Sequence, residues 1–182
     1  MVFDLNKEIF ILVFCVGLFI MYLWCKKKKF RQYRYWILGV FWFYILSVVK
    51  LTFFPVYINW DGNLSEIVVN TGEIMYLQLI PFKSIYAMLE KCFWFRQIMG
   101  NVVLLLPLPI FIGVLQLQKD RTCYQLACIG IGTSIAIELF QYIVNQITRF
   151  PNRVTDIDDI ILNSVGVWIG ALIFKKVRNY LV

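Results

Sequence analysis

The chain has 182 residues, of which 60% are hydrophobic and only 16% charged, with a mean hydropathy of +0.72. Soluble domains carry roughly 25% charge along their length, whereas here the charges clump between long apolar runs, so a soluble globule is excluded and the bilayer is the solvent. The absence of histidine also removes the HExxH and Cys/His zinc patterns and leaves acid–base chemistry to carboxylates, Lys or Tyr.

In chain order, uncharged runs predict five transmembrane helices: Ile9 to Cys25; Tyr35 to Val49, continuing past Lys50 to Trp60; Gln97 to Gln118; Thr122 to Ile137, continuing past Glu138; and Ile160 to Phe174. The fold class expected is therefore an all-α integral membrane protein. The first run is followed by its charges, Lys26 to Lys29, rather than preceded by them, which argues against a cleaved secretory signal. Basic residues set the orientation: Lys26, Lys27, Lys28, Lys29, Arg31, Arg34, Lys119, Arg121, Lys175, Lys176 and Arg178 fall on one side, packed against helix ends. Lys7, Lys83, Lys91, Arg96, Arg149 and Arg153 scatter over the other, which predicts N-out and C-in. The same placement accounts for the net charge of +7 without a nucleic-acid partner. Cys15, Cys25, Cys92, Cys123 and Cys128 form no CxxC and read as small apolar packers.

The long outer segment from Pro55 to Arg96 opens polar, with Asp61, Gly62, Asn63, Glu66, Asn70 and Gly72, then turns apolar at Tyr76 to Phe82. Ile85, Met88, Leu89, Cys92 and Phe93 recur at helical spacing, which predicts an amphipathic helix lying at the outer interface. Asn63-Leu64-Ser65 fits a glycosylation sequon, a pattern too short to carry weight. Pro107 and Pro109 are expected to kink the third span, and Gly166 and Gly170 form a GxxxG that brings helices close and offers an in-plane partner a face.

Placed by a rise of about 1.5 Å per residue, the intramembrane polar residues fall in one leaflet. Lys50 lies about 8 Å inside the outer end of the second span and Asn101 about 6 Å inside the start of the third. Glu138 and Gln141 lie near the outer end of the fourth, and Asp156, Asp158, Asp159 and Asn163 open the fifth. Ser134, Glu138 and Gln141 share one helical face, and Asp156, Asp159 and Asn163 another, so two polar stripes can face each other. A carboxylate in hydrocarbon needs a partner, and Lys50, Arg149 or Arg153 is the partner expected for Glu138. Thr155-Asp156-Ile157-Asp158 fits a capping box, which favours Asp158 as a cap of its own helix and leaves Asp156 and Asp159 to the site.

These residues also carry a resemblance. Leu51-Thr52-Phe53-Phe54-Pro55, Leu79-Ile80-Pro81-Phe82, Gly100-Asn101, Leu106-Pro107-Leu108, the run Ser134 to Gln141 and above all the run Arg153 to Gly166 resemble the VanZ-like family of bacterial membrane proteins. Some of its members are associated with resistance to glycopeptide antibiotics such as teicoplanin. The resemblance covers about Leu51 to Gly170 and departs where Pro109 replaces a frequent glycine. It implies a multi-pass protein of the bacterial cytoplasmic membrane; the first helix with its Lys26 to Lys29 cluster lies outside it, so the chain reads as an N-terminal helix and basic loop over 1–34 followed by a VanZ-like four-helix domain over 35–182.

The expected function is binding or remodelling of a cell-envelope lipid, lipid-linked wall precursor or glycopeptide through Lys50, Asn101, Glu138, Gln141, Arg153, Asp156, Asp159 and Asn163. The alternative is an intramembrane enzyme on a lipid-linked substrate, with Glu138, Asp156 and Asp159 as acid–base candidates. No cofactor is required, although Asp156 and Asp159 are the residues that would hold a divalent cation. A carrier or structural subunit is the third class, and without an internal repeat it would need to act as a homo-oligomer.

Overall fold

The computed structural model describes residues 1–28, 32–60, 76–89, 94–116 and 121–178. Expectations resting on Lys29, Arg31, Asp61 to Gly72 with the sequon, Lys91, Cys92, Phe93 and Lys119, and on the side chain of Met88, fall outside them. Five helices are long and apolar enough to cross a membrane: α1 (Lys7–Lys27), α2 (Gln32–Phe53), the broken span formed by α4 (Trp94–Leu105) and α5 (Pro107–Leu115), α6 (Cys123–Thr148) and α7 (Ile157–Arg178). The chain is a multi-pass membrane protein. A short helix, α3 (Lys83–Leu89), and four two-residue strands, β1 (Val2–Phe3), β2 (Val56–Tyr57), β3 (Leu77–Gln78) and β4 (Thr155–Asp156), complete the described elements.

The helices divide into two compact units, Met1–Tyr57 and Ile58–Val182. α2 packs on α1 within the first of them. In the first unit, Asn6 caps α1 by accepting from the Ile9 N–H at 3.0 Å. Phe10 and Phe14 meet Phe43 edge-on, and Tyr22 meets Tyr35, so the helices run antiparallel. β1 and β2 pair antiparallel, Val2 with Tyr57 and Phe3 with Val56, and clip the open end of this hairpin.

In the second unit α7 is the central helix, packed against α4, α5 and α6. The prolines do more than kink the third span: the helix breaks at Leu106, and Pro107 starts a new one where its missing N–H costs nothing. Leu126, Ala171 and Phe174 form a buried cluster against Ile110, Ile112, Val114 and Cys123. Gly166 and Gly170 are spent inside the chain. A Cβ at Gly166 would land on the carbonyl oxygen of Val102, and one at Gly170 on that of Leu106. The face expected to offer an in-plane partner a surface is therefore occupied by α4 and the α4–α5 junction. Cys15, Cys25, Cys123 and Cys128 are free thiols.

Candidate functional site

Three helices of the second unit converge on one buried polar cluster. α6 presents Ser134, Glu138, Gln141, Asn145 and Thr148 at successive heptad-like positions, and all five are buried. α6 runs to Thr148, so Glu138 lies about 15 Å along the axis from the helix end, deeper than its expected place near that end. It meets the start of α7 because residues 149–156 fold back along α6. Asn145 holds that return: its Nδ2 donates to the Arg153 carbonyl at 2.7 Å, and its Oδ1 accepts from Asn152 N–H at 2.9 Å and Arg153 N–H at 3.4 Å. Asn152 donates in turn to Thr148 Oγ1 at 2.8 Å.

A second non-helical segment comes alongside the first. β3 pairs in parallel with β4, Leu77 with Thr155 and Gln78 with Asp156, and Thr155 N–H donates to the Tyr76 carbonyl at 2.9 Å. Buried irregular backbone is stable where its polar groups find partners. Pairing the two segments with each other does this without a long strand.

The acids of the cluster are held by N–H donors. Glu138 Oε2 accepts from the backbone N–H of Asp156 at 2.9 Å, the partner found where a Lys or Arg side chain was expected. Asp156 Oδ1 accepts from Asp158 N–H at 2.9 Å, so Asp156 caps α7. Asp158, expected to be that cap, caps another helix instead. Its two oxygens accept from Phe82 N–H at 2.6 Å and Ile85 N–H at 3.0 Å, at the entry to α3. Asp159 Oδ1 accepts from Asn101 Nδ2 and ties α4 to α7. One turn on, Asn163 Nδ2 donates to Ser134 Oγ at 3.0 Å and ties α6 to α7. Each carboxylate is thus partly compensated by a dipole, which lets Glu138, Asp156 and Asp159 lie within electrostatic range of one another.

The structure therefore brings together Asn101, Glu138, Asp156, Asp159 and Asn163, with Gln141 buried on the same face of α6. Arg153 and Arg149 are exposed on the return segment. Lys50 belongs to the first unit, where its ammonium lies 5.7 Å from the centre of the Phe10 ring. Among the described residues, no group of three or more acidic or thiol side chains is arranged to hold a metal ion. The residues missed in the sequence are Asn145, Thr148 and Asn152. Asn145 and Thr148 extend the Ser134–Glu138–Gln141 stripe, and following it for two more steps would have found them.

Asn145→Ala is expected to destabilise the protein by about 2–4 kcal/mol, since it removes the three hydrogen bonds that tie the return segment to α6. Trypsin would cut faster at Arg149 and Arg153. A wild-type melting midpoint and digestion rate would show that Asn145 does not hold the segment.

Asn163 Oδ1 and Thr155 Oγ1 are buried acceptor-capable atoms in this region without a partner among the described residues. Together with the carboxylates they make the cluster rich in acceptors. Such a site suits ligands that bring hydroxyl or ammonium donors.

No curated protein and no solved structure matches the chain. The family model described as VanZ/LLP1 matches residues 41–179, from within α2 through α7 and across every residue of the polar cluster. The chain belongs to the VanZ/LLP1 family.

Proposed function

We propose that the cluster formed by Asn101, Glu138, Gln141, Asp156, Asp159 and Asn163 binds or remodels a donor-rich component of the bacterial cell envelope, with Arg153 at its rim. The ligand class is a lipid headgroup, a lipid-linked wall precursor or a glycopeptide. The observation that carries the reading is the convergence of α4, α6 and α7 on buried acceptors that include the unpartnered Asn163 Oδ1. Buried polar groups in a membrane protein are costly and are retained where they serve a site. The basic ends of α1 and α7, with Lys26, Lys27, Lys175, Lys176 and Arg178, support the N-out, C-in orientation in the bacterial plasma membrane. That orientation turns the site toward the cell wall, where lowered teicoplanin susceptibility would be its phenotype.

The test compares cells carrying wild type, Glu138→Gln and Asp159→Asn at equal abundance. Loss of one charged hydrogen bond corresponds to about a tenfold or greater loss of affinity, so both variants are expected to lose the susceptibility phenotype. Unchanged susceptibility in both would refute the reading. The electrostatic proximity of Glu138 and Asp159 also favours a second reading, an intramembrane enzyme in which two unlike carboxylates divide acid and base work. Mass spectrometry of lipids and wall precursors separates the two. A species that appears or vanishes only with wild type supports turnover, and identical profiles support binding.

A further inference from the structure

We propose that the α1–α2 hairpin carries a second site, a groove that binds the phosphate of an anionic membrane phospholipid between Lys7 and Lys50. Lys7, Phe10 and Ile11 lie at i, i+3 and i+4 of α1, and Ser47, Lys50 and Leu51 repeat that spacing on α2. The two faces line one groove of about 370 Å³. Every lining residue belongs to the first unit, so the site is complete within it.

Two lysines facing one groove repel each other. Among the described residues neither has a carboxylate partner, and the group against Lys50 is the Phe10 ring. A ring face offsets part of one charge and none of the other. The Ser47 hydroxyl is already donated to the Phe43 carbonyl at 2.8 Å, which leaves the ammonium groups as the donors. Charge complementarity therefore calls for an anion. The remaining walls decide which kind: Phe10, Ile11 and Leu51 are apolar, and Ile11 and Leu51 are exposed beside the cations. A phosphate with acyl chains satisfies both parts of this lining, the lysines by charge and the apolar side chains by contact. The groove lies at the hairpin end clipped by β1 and β2, opposite the Lys26–Lys28 cluster, so retention of positive charge on one side of the membrane does not account for it.

Native mass spectrometry of the full chain in detergent tests this, with phosphatidylglycerol or phosphatidylcholine of matched acyl chains as the probe. Wild type is expected to retain phosphatidylglycerol about tenfold better than phosphatidylcholine. Lys50→Gln should abolish that preference, Lys7→Gln should weaken it, and Lys50→Arg should preserve it. Ser47→Leu, which keeps both charges and fills the groove, should reduce retention of phosphatidylglycerol and so covers the case in which Lys50→Gln does not fold. Lys27→Gln, which removes a charge from the opposite end of the hairpin, should keep the wild-type preference, which separates the groove from a general attraction of anionic lipid to basic residues. Equal retention of the two lipids by wild type would overturn the proposal, as would an unchanged preference in folded Lys50→Gln. Displacement of phosphatidylglycerol by millimolar inorganic phosphate at equal effectiveness would replace the lipid with a soluble anion and overturn it as well.

Discussion

Gly166→Val is expected to abolish accumulation of folded protein, with a loss of stability above about 3 kcal/mol. Overpacking a core costs about 1–3 kcal/mol when side chains can move aside. Here the atom that a Cβ meets is the carbonyl oxygen of Val102, fixed in the backbone of α4, so α7 itself would have to move. Such a shift would separate Asp159 from Asn101, because both pairs lie on the α4–α7 contact. Gly170→Val should behave alike, with Pro109 as a further obstacle beside Leu106. Gly132 supplies the control: a Cβ there meets nothing within 4 Å, and Gly132→Ala should match or exceed wild-type stability by up to about 1 kcal/mol. Thermal unfolding in detergent measures all three. A Gly166→Val midpoint equal to that of Gly132→Ala would sink the close-packing account.

Asp158→Ala should have the second-largest effect. Asp158 is fully buried and accepts from two backbone N–H groups some seventy residues earlier in the chain. Its removal loses two charge-assisted bonds and leaves the Phe82 and Ile85 donors facing a void, a cost of about 3–5 kcal/mol. The damage should start in the segment from Tyr76 to Leu89, which would exchange its amide hydrogens faster while the centre of α6 stays protected. Asp158→Asn keeps the shape but sets an NH2 against one N–H donor, and should fall between wild type and alanine. Uniform exchange across the whole second unit in Asp158→Ala would contradict a local anchoring role.

Spans, stripes and the convergence of acids with amides were legible because they follow from helical periodicity and the cost of charge in hydrocarbon. Ser134, Glu138 and Asn163 needed no tertiary information. The exchange of roles between Asp156 and Asp158 did: a capping pattern names residues that can cap, and which N–H each one takes depends on the segment that arrives beside it. Here that segment comes from Tyr76 to Ile85, and no local rule reports it. The depth of Glu138 was misjudged for the same reason, since the folded-back return from Thr148 moves the start of α7 down beside it. For Lys50, which belongs to the first unit, depth is the one link to the acids that the sequence offers. Depth places residues in a layer and leaves open which neighbours they meet within it.

The anchoring of β3 also sets a rule for chain length. Leu79, Ile80 and Pro81 are all the chain between Gln78, paired with Asp156, and Phe82, whose N–H is held by Asp158. The two attachment points lie two residues apart, Asp156 at the end of β4 and Asp158 in the first turn of α7, so this stretch has little slack, and Phe82 already turns with a φ of 65° to complete it. Deleting one residue there would force a choice between strand pairing and cap, and inserting one would throw the following turn out of register.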